Sequence, residues 1–204
     1  LLSLPRILGT TLATVPAQVP YLHADPGLID RWRHELQPLG GFRIGIAWQG
    51  SRGFKGDRFR SFPLREFAPL AAMEGVRLVS LQKGAGSEQI REAAASIAVM
   101  DLGSRLDETA GPFMDTAAVM NNLDLVITPN TALAHLAGAL GVPAWVALSS
   151  APEWRWMLNR EDSPWYPTLR LFRQTEPGNW KPVFERMAAA LPPLPAQRGP
   201  TRLR

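Results

Sequence analysis

The sequence predicts an α/β fold, a mainly parallel sheet with helices packed on its faces. Three observations predict it. Six short apolar runs, of the kind that buried strands make, recur between residues 42 and 173. Stretches with helical spacing or helix-start signals separate most of these runs. Glycine, proline, asparagine or serine punctuates nearly every junction.

Taken in order, residues 1–40 differ from the rest. Prolines at 5, 16, 20 and 26 interrupt the segment LPRILGTTLATVPAQVPYLHADPGLIDRWRHEL, which shows no strand–helix alternation. Asp25 as N-cap and Pro26 at the first helical position predict one helix ending near Leu36. The chain before it reads as extended backbone lying over another surface. FRIGIAW (42–48) is the first strand and runs into a loop rich in Gly and Arg. A helix is expected over 63–73, with Gly75 closing it. VRLVSL (76–81) is the second strand, and a Gly-rich turn follows at 83–86. Ser87 is placed to cap a helix through SEQIREAAASI. AVMDL (98–102) is a strand, 112–121 a helix and DLVIT (124–128) a strand. A helix over 130–140 has Gly141 as its stop, and PAWVAL (143–148) is the next strand. LRLFR (169–173) ends the sheet, and a helix over 181–191 packs last. The Pro- and Arg-rich segment 192–204 is expected to be disordered.

Composition narrows the function classes. The chain has 204 residues, 46% of them hydrophobic and 20% charged, as ordinary globular domains have. No apolar run is long enough to span a membrane. Cysteine is absent, which excludes disulfides and thiolate chemistry, and the three histidines are scattered. The net charge is +4, but Arg198, Arg202 and Arg204 of the tail carry most of it, so a nucleic-acid partner is not expected. The first residue is not methionine, and the chain is expected to be part of something longer. No secretory signal is visible at its start.

Two loops hold the chemistry. In TPNTALAHLAGALGVP (128–143) a strand ends and Asn130 is placed to cap the next helix. The free amides around Thr131, Ala132 and Leu133 would then make an anion site, for which a diphosphate is the usual occupant. On a helical wheel Leu133, Leu136, Ala137 and Leu140 face the sheet. Thr131, Ala134, His135 and Gly138 share the other side, where small residues admit a second surface. The plainer reading of these residues is a helix cap and a packed histidine. In QGSRGFKGDRFRSFP (49–63) glycines allow close approach, and Arg60 suits bidentate phosphate binding; a solvated loop is the alternative. Lys83 is a second phosphate candidate. Glu88 suits ribose hydroxyls or complements a helix dipole. Trp154, Trp156, Trp165 and Tyr166 either stack on a ligand or pack a long loop onto the domain. No P-loop, no G-x-G-x-x-G after a strand and no G-x-S-x-G elbow is present.

ITPNTALAHLAGALGVPAW (127–145) resembles the nucleotide-sugar motif of heptosyltransferase-like glycosyltransferases. FRIGIAWQGS, DRFRSFPLREF, VRLVSLQKG, Asp115–Ala117 and DSPWYPTLRLFRQ further resemble the transferase domains that follow tetratricopeptide repeats in bacterial proteins. The resemblance implies a Rossmann-like domain, the C-terminal half of a GT-B fold, and metal-independent, inverting transfer from a nucleoside-diphosphate sugar. It implies no separate cofactor, a cytoplasmic location and a protein or glycan acceptor. Residues 1–40 would end an N-terminal domain and linker, 41–191 would bind the donor, and the catalytic base would lie outside this chain. Arg60 then neutralises the donor phosphates, with Lys83 beside it. Glu88 meets the ribose, Thr131 and Ala132 bind the diphosphate, and Gln49, Ser51, Asn130 and His135 complete the donor contacts. Asn130 stands where the family usually has an acidic residue. A non-catalytic nucleotide-sugar binding module and a sugar-nucleotide epimerase are the alternative readings.

Overall fold

Strand-forming runs that are apolar on both faces must be covered on both faces, and the structure meets that demand. The computed structural model describes residues 3–194, apart from the side chain of Ser104. Six strands form one parallel sheet: β1 (Phe42–Ile46), β2 (Val76–Ser80), β3 (Val99–Asp101), β4 (Leu125–Pro129), β5 (Ala144–Leu148) and β6 (Leu169–Arg173). Their spatial order is β3-β2-β1-β4-β5-β6, and every neighbouring pair is parallel. The helices are α1 (Leu4–Ile7), α2 (Pro26–Leu36), α3 (Asp57–Arg60), α4 (Ala68–Ala71), α5 (Gln89–Ala93), α6 (Met114–Met120), α7 (Ala132–Ala139) and α8 (Lys181–Ala190).

Alternation along the strands sorts their side chains into two cores. Ile44, Ile46, Leu78 and Ile127 join Phe67, Leu70 and Phe184 on the face covered by α4 and α8. Val79, Val126, Val146 and Leu171 join Trp32, Leu36 and Ala134 on the face covered by α2, α6 and α7. Gly45 belongs to this second face, where a Cβ would lie 2.4 Å from Leu123 Cδ1, so a larger residue would push the Leu123 side chain aside. Helix α2 begins as its sequence predicts, with the Asp25 carboxylate accepting from the Leu28 amide at 2.9 Å. It is an integral part of the core, with Trp32 and Leu36 fully buried. The chain before it crosses the end of α7, where the amides of Tyr21 and Leu22 both donate to the Ala139 carbonyl.

Several boundaries differ from expectation for identifiable reasons. The helix expected over 63–73 is a 3-10 turn, Leu64–Phe67, followed by α4, because Pro69 removes a backbone donor and starts a new helix. Ser87 caps nothing: α5 begins only at Gln89, after a turn in which Gly86 adopts a φ of 92° and its amide donates to Glu88. Asn130 is not the cap of α7. Thr131 holds that position in an extended conformation, without a side-chain cap bond. Ala134 and Gly138, expected on the outer side of that helix, are both buried, while Leu133 and Leu136 are only partly so. Of the expected tail, Leu194 packs against the core on the α8 face. Residues 195–204 lie outside the described part of the chain.

Candidate functional site

β1 and β4 are neighbours in the sheet, but the connections that leave them run in opposite directions, towards β2 and towards β5. Their two loops therefore part and leave a crevice at the strand ends, the usual ligand position in such sheets. A cleft of about 680 Å³ occupies it. Its walls are Gln49–Arg52 after β1, Leu81–Lys83 after β2, Asp107 and Pro112–Phe113 after β3, and Thr131–Leu133 after β4. A somewhat larger hollow of about 770 Å³ lies at the opposite end of the sheet, around the start of β2, with Glu74 and Arg77 as its only charged lining residues. It has neither converging basic groups nor a helix start, and position in the fold favours the first cleft.

Arg60 is the centre of the cleft's geometry. Its Nε donates to Asp57 Oδ1 at 3.0 Å, and its Nη1 to the Asn130 carbonyl at 2.6 Å. The cation thus stands at the start of α7. Asp57 is itself buried and fixes the loop, since its other oxygen accepts from the Ser61 hydroxyl, which accepts from the Gly50 amide. Gly50 leaves room for this pair: a Cβ would fall 2.2 Å from Asp57 Oδ1 and 2.6 Å from Arg60 Nη2 and would displace them. Asp57, which the sequence did not single out, is the residue that aims Arg60. The signal was the i, i+3 spacing of an acid and an arginine on one helical turn.

The N-terminus of α7 is left open. The amides of Ala132 and Leu133 have no intrahelical acceptor, and neither Asn130 nor Thr131 supplies one. The Thr131 hydroxyl instead meets that of Thr128 at 3.2 Å. Unpaired amides at the positive end of a helix, beside a guanidinium, form an anion-binding arrangement.

The other candidates are placed less uniformly. Gln49, Ser51 and Lys83 line the cleft with Arg60, Thr131 and Ala132. Lys83 is already engaged, donating to the Leu106 carbonyl at 2.6 Å and pairing with Glu108 at 2.8 Å. Glu88 lines an adjoining hollow of about 380 Å³ that also contains Lys83. Its carboxylate accepts from the Gly86 amide and from Arg52. Its pKa is held below the ordinary carboxylate value by backbone N–H groups, its own first and that of Gly86 next, and by the Arg52 charge. Asn130 turns its side of the chain to a third hollow, shared with Phe54, Phe59, Ser149 and Glu153. His135 does not line the cleft. It stacks on Trp156 at 5.2 Å and its Nδ1 lies 3.3 Å from the Tyr166 hydroxyl. Burial, and secondarily the charge of Arg155, lower its pKa. Trp156 is buried and Trp154 is exposed, so the loop's aromatic cluster is in part a packing device.

Gln82 was missed altogether. It is buried, and its side chain accepts from the amides of Trp48 and Gln49 and donates to the carbonyls of Gln49 and Ala85. It ties the β1 and β2 loops into one wall, and no local pattern announces such a role. Among the described residues no group of three or more His, Cys, Asp or Glu is placed to hold a metal ion, and no helix is long and apolar enough to cross a membrane.

These features define a doubly wound, Rossmann-like domain of the kind that makes up half of the GT-B fold, with its crevice at the β1/β4 switch point. The structure of E. coli ADP-heptose LPS heptosyltransferase II shares the fold, with a TM-score of 0.58 and 16% identity over 86% of this chain and 54% of that one. The glycosyl transferase family 9 protein of Veillonella parvula superposes with a TM-score of 0.61 and 15% identity, covering 83% of this chain and 46% of that one. E. coli heptosyltransferase WaaC with ADP gives 0.52 and 15%, over 87% and 53%. Among curated sequences, Protein FlbA of Caulobacter vibrioides is 33% identical over 193 residues, which are 90% of this chain and 31% of FlbA. The chain therefore spans about a third of that relative and about half of the heptosyltransferases. No family model matches it.

Proposed function

We propose that this chain is the donor-binding part of a glycosyltransferase that moves a sugar from a nucleoside-diphosphate sugar to a protein or glycan acceptor. The observation that carries the reading is the Arg60 guanidinium bonded to the carbonyl before α7, which sets a fixed cation against the uncapped amides of Thr131, Ala132 and Leu133. A diphosphate seated there meets preorganised donors, and the same donors stabilise the charge that develops as the nucleoside diphosphate departs. Departure needs no metal in this scheme. Gln49 and Ser51 reach the phosphates from the β1 loop, and Lys83 flanks them after exchanging one of its present partners. Glu88 takes the ribose hydroxyls, and Asn130 faces the sugar. His135 supports α7 from behind through Trp156 and Tyr166. Inverting transfer requires a base on the acceptor side, which we assign to an additional domain of the parent protein, preceded by tetratricopeptide repeats and working in the cytoplasm.

The test is a calorimetric titration of the chain and of its full-length parent with ADP, UDP and GDP. One nucleotide should bind saturably. Arg60→Ala should weaken it about 10- to 100-fold, as loss of a charge-assisted hydrogen bond does. Ala132→Asp should abolish binding while leaving the fold intact, since a carboxylate suits the first turn of a helix but repels a diphosphate. If neither form of the protein binds any of the three, the donor reading is wrong. Binding in the full-length parent without transfer to any acceptor would favour the non-catalytic module, to which the replacement of an acidic residue by Asn130 also points.

A further inference from the structure

Phe113 is anomalous on three counts. Its backbone is left-handed, with φ 63° and ψ 2°, a conformation that bulky side chains rarely adopt. The residue is 47% exposed, although burial would be favourable. It also lines the 680 Å³ cleft, with Pro112 next to it and Leu81 on the wall from β2.

The surroundings show that this exposure is built in. The Asp107 carboxylate accepts from both the amide and the hydroxyl of Thr116, at 3.0 and 2.6 Å. The buried Asp115 accepts from the Asp107 amide at 3.0 Å and from the Trp32 indole at 2.7 Å. The Phe113 carbonyl accepts from the Ala117 amide at 2.9 Å, and Gly111 supplies a φ of 101° just before. The loop is thus pinned on both sides of Phe113, which is held exposed at the wall of the cleft. Residues in sparsely populated conformations that persist under such support concentrate at ligand sites.

Position says what the ring meets. In the order β3-β2-β1-β4 the loop after β3 stands two strands from Arg60 on the β1 loop, about 10 Å along the sheet edge. A nucleotide whose diphosphate sits between Arg60 and α7 and whose sugar passes Lys83 brings its base to that loop. We propose that Phe113 is the wall on which the donor's base stacks. The inference rests on the donor-site reading above and assigns it a base-binding residue. Stacking of this kind tolerates any base, so selection among bases falls to polar groups elsewhere on the wall.

The experiment compares the wild-type chain with Phe113→Gly, Phe113→Tyr and Arg60→Ala, titrated with ADP, UDP, GDP and inorganic pyrophosphate. Glycine relieves the left-handed backbone while removing the ring, so a folded variant is expected. Phe113→Gly should weaken the preferred nucleotide about 5- to 150-fold, the range that base–aromatic stacking spans. It should leave pyrophosphate binding unchanged, and Phe113→Tyr should keep full nucleotide affinity. Arg60→Ala should weaken both ligands. Unchanged nucleotide affinity in Phe113→Gly would overturn the assignment while leaving the donor site standing. An equal loss for nucleotide and pyrophosphate would overturn it too, because the ring would then be shaping the cleft rather than meeting a base. Absence of nucleotide binding in both the wild-type chain and its full-length parent would remove both readings together.

Discussion

Gly138→Ala isolates a single steric contact behind the candidate site. Gly138 lies inside α7, and a Cβ there would stand 2.4 Å from Tyr166 Cγ and 2.9 Å from Tyr166 Cβ, where ordinary contact begins near 3.4 Å. Both atoms are close to the Tyr166 backbone, so the ring cannot swing away and must retreat bodily by roughly 1 Å. Two effects oppose. Alanine favours the helix by about 1 kcal/mol over glycine. Overpacking costs about 1–3 kcal/mol, and moving Tyr166 loosens its 3.3 Å contact with His135, worth about 1 kcal/mol. The clash wins, for a net loss of about 1–3 kcal/mol and a fall in Tm of about 2–12 °C at this chain length. Urea unfolding followed by circular dichroism reads the change. Repeating the substitution in a Tyr166→Gly background removes the ring and its Cβ together, and there the same change should stabilise by up to about 1 kcal/mol. If Gly138→Ala leaves the wild-type background as stable or more stable, the packing argument for α7 fails.

Two further predictions concern the walls of the cleft and its support. Gln82→Leu strips partners from two amides and two carbonyls at once, and should cost about 2–4 kcal/mol in urea unfolding; an unshifted midpoint would show that water replaces those bonds freely. His135 has its folded pKa depressed below 6.5 by burial first and by Arg155 second, with Glu153 opposing. The unfolded chain therefore takes up the proton first as pH falls. Stability from this group is complete above about pH 6.5, and is lost as pH drops towards the lower folded value. Between pH 7 and 5 the Tm of His135→Phe should fall less steeply than that of the wild type, and parallel slopes would contradict this.

What was legible in the sequence was what adjacent residues decide. The strands announced themselves because burial on both faces makes them continuously apolar. The start of α2 was readable from Asp25 and Pro26, and the end of α7 from Gly141. There the amides of Gly141 and Val142 return to the carbonyls of Gly138 and Ala137 in the expected closing pattern. Arg60, Thr131 and Ala132 were brought into one cleft as their loops predicted. The failures have a common origin in partners distant along the chain. Asn130 is not a cap because its carbonyl serves an arginine 70 positions away, and Gln82 reaches back 33 or 34 residues to the β1 loop. Phe113 was passed over inside an expected helix, since nothing in neighbouring residue types reveals a left-handed backbone at an aromatic residue.

Helix α7 is gripped at one end and open at the other. The strap at Tyr21 and Leu22 holds the Ala139 carbonyl, while the amides at Thr131 and Ala132 face the crevice. Eight residues of helix make a rod about 12 Å long, too short to bend appreciably. The strap and the open amides are therefore the two ends of one short rigid body, and the placement of Tyr21 and Leu22 helps to fix where the helix start stands in the crevice.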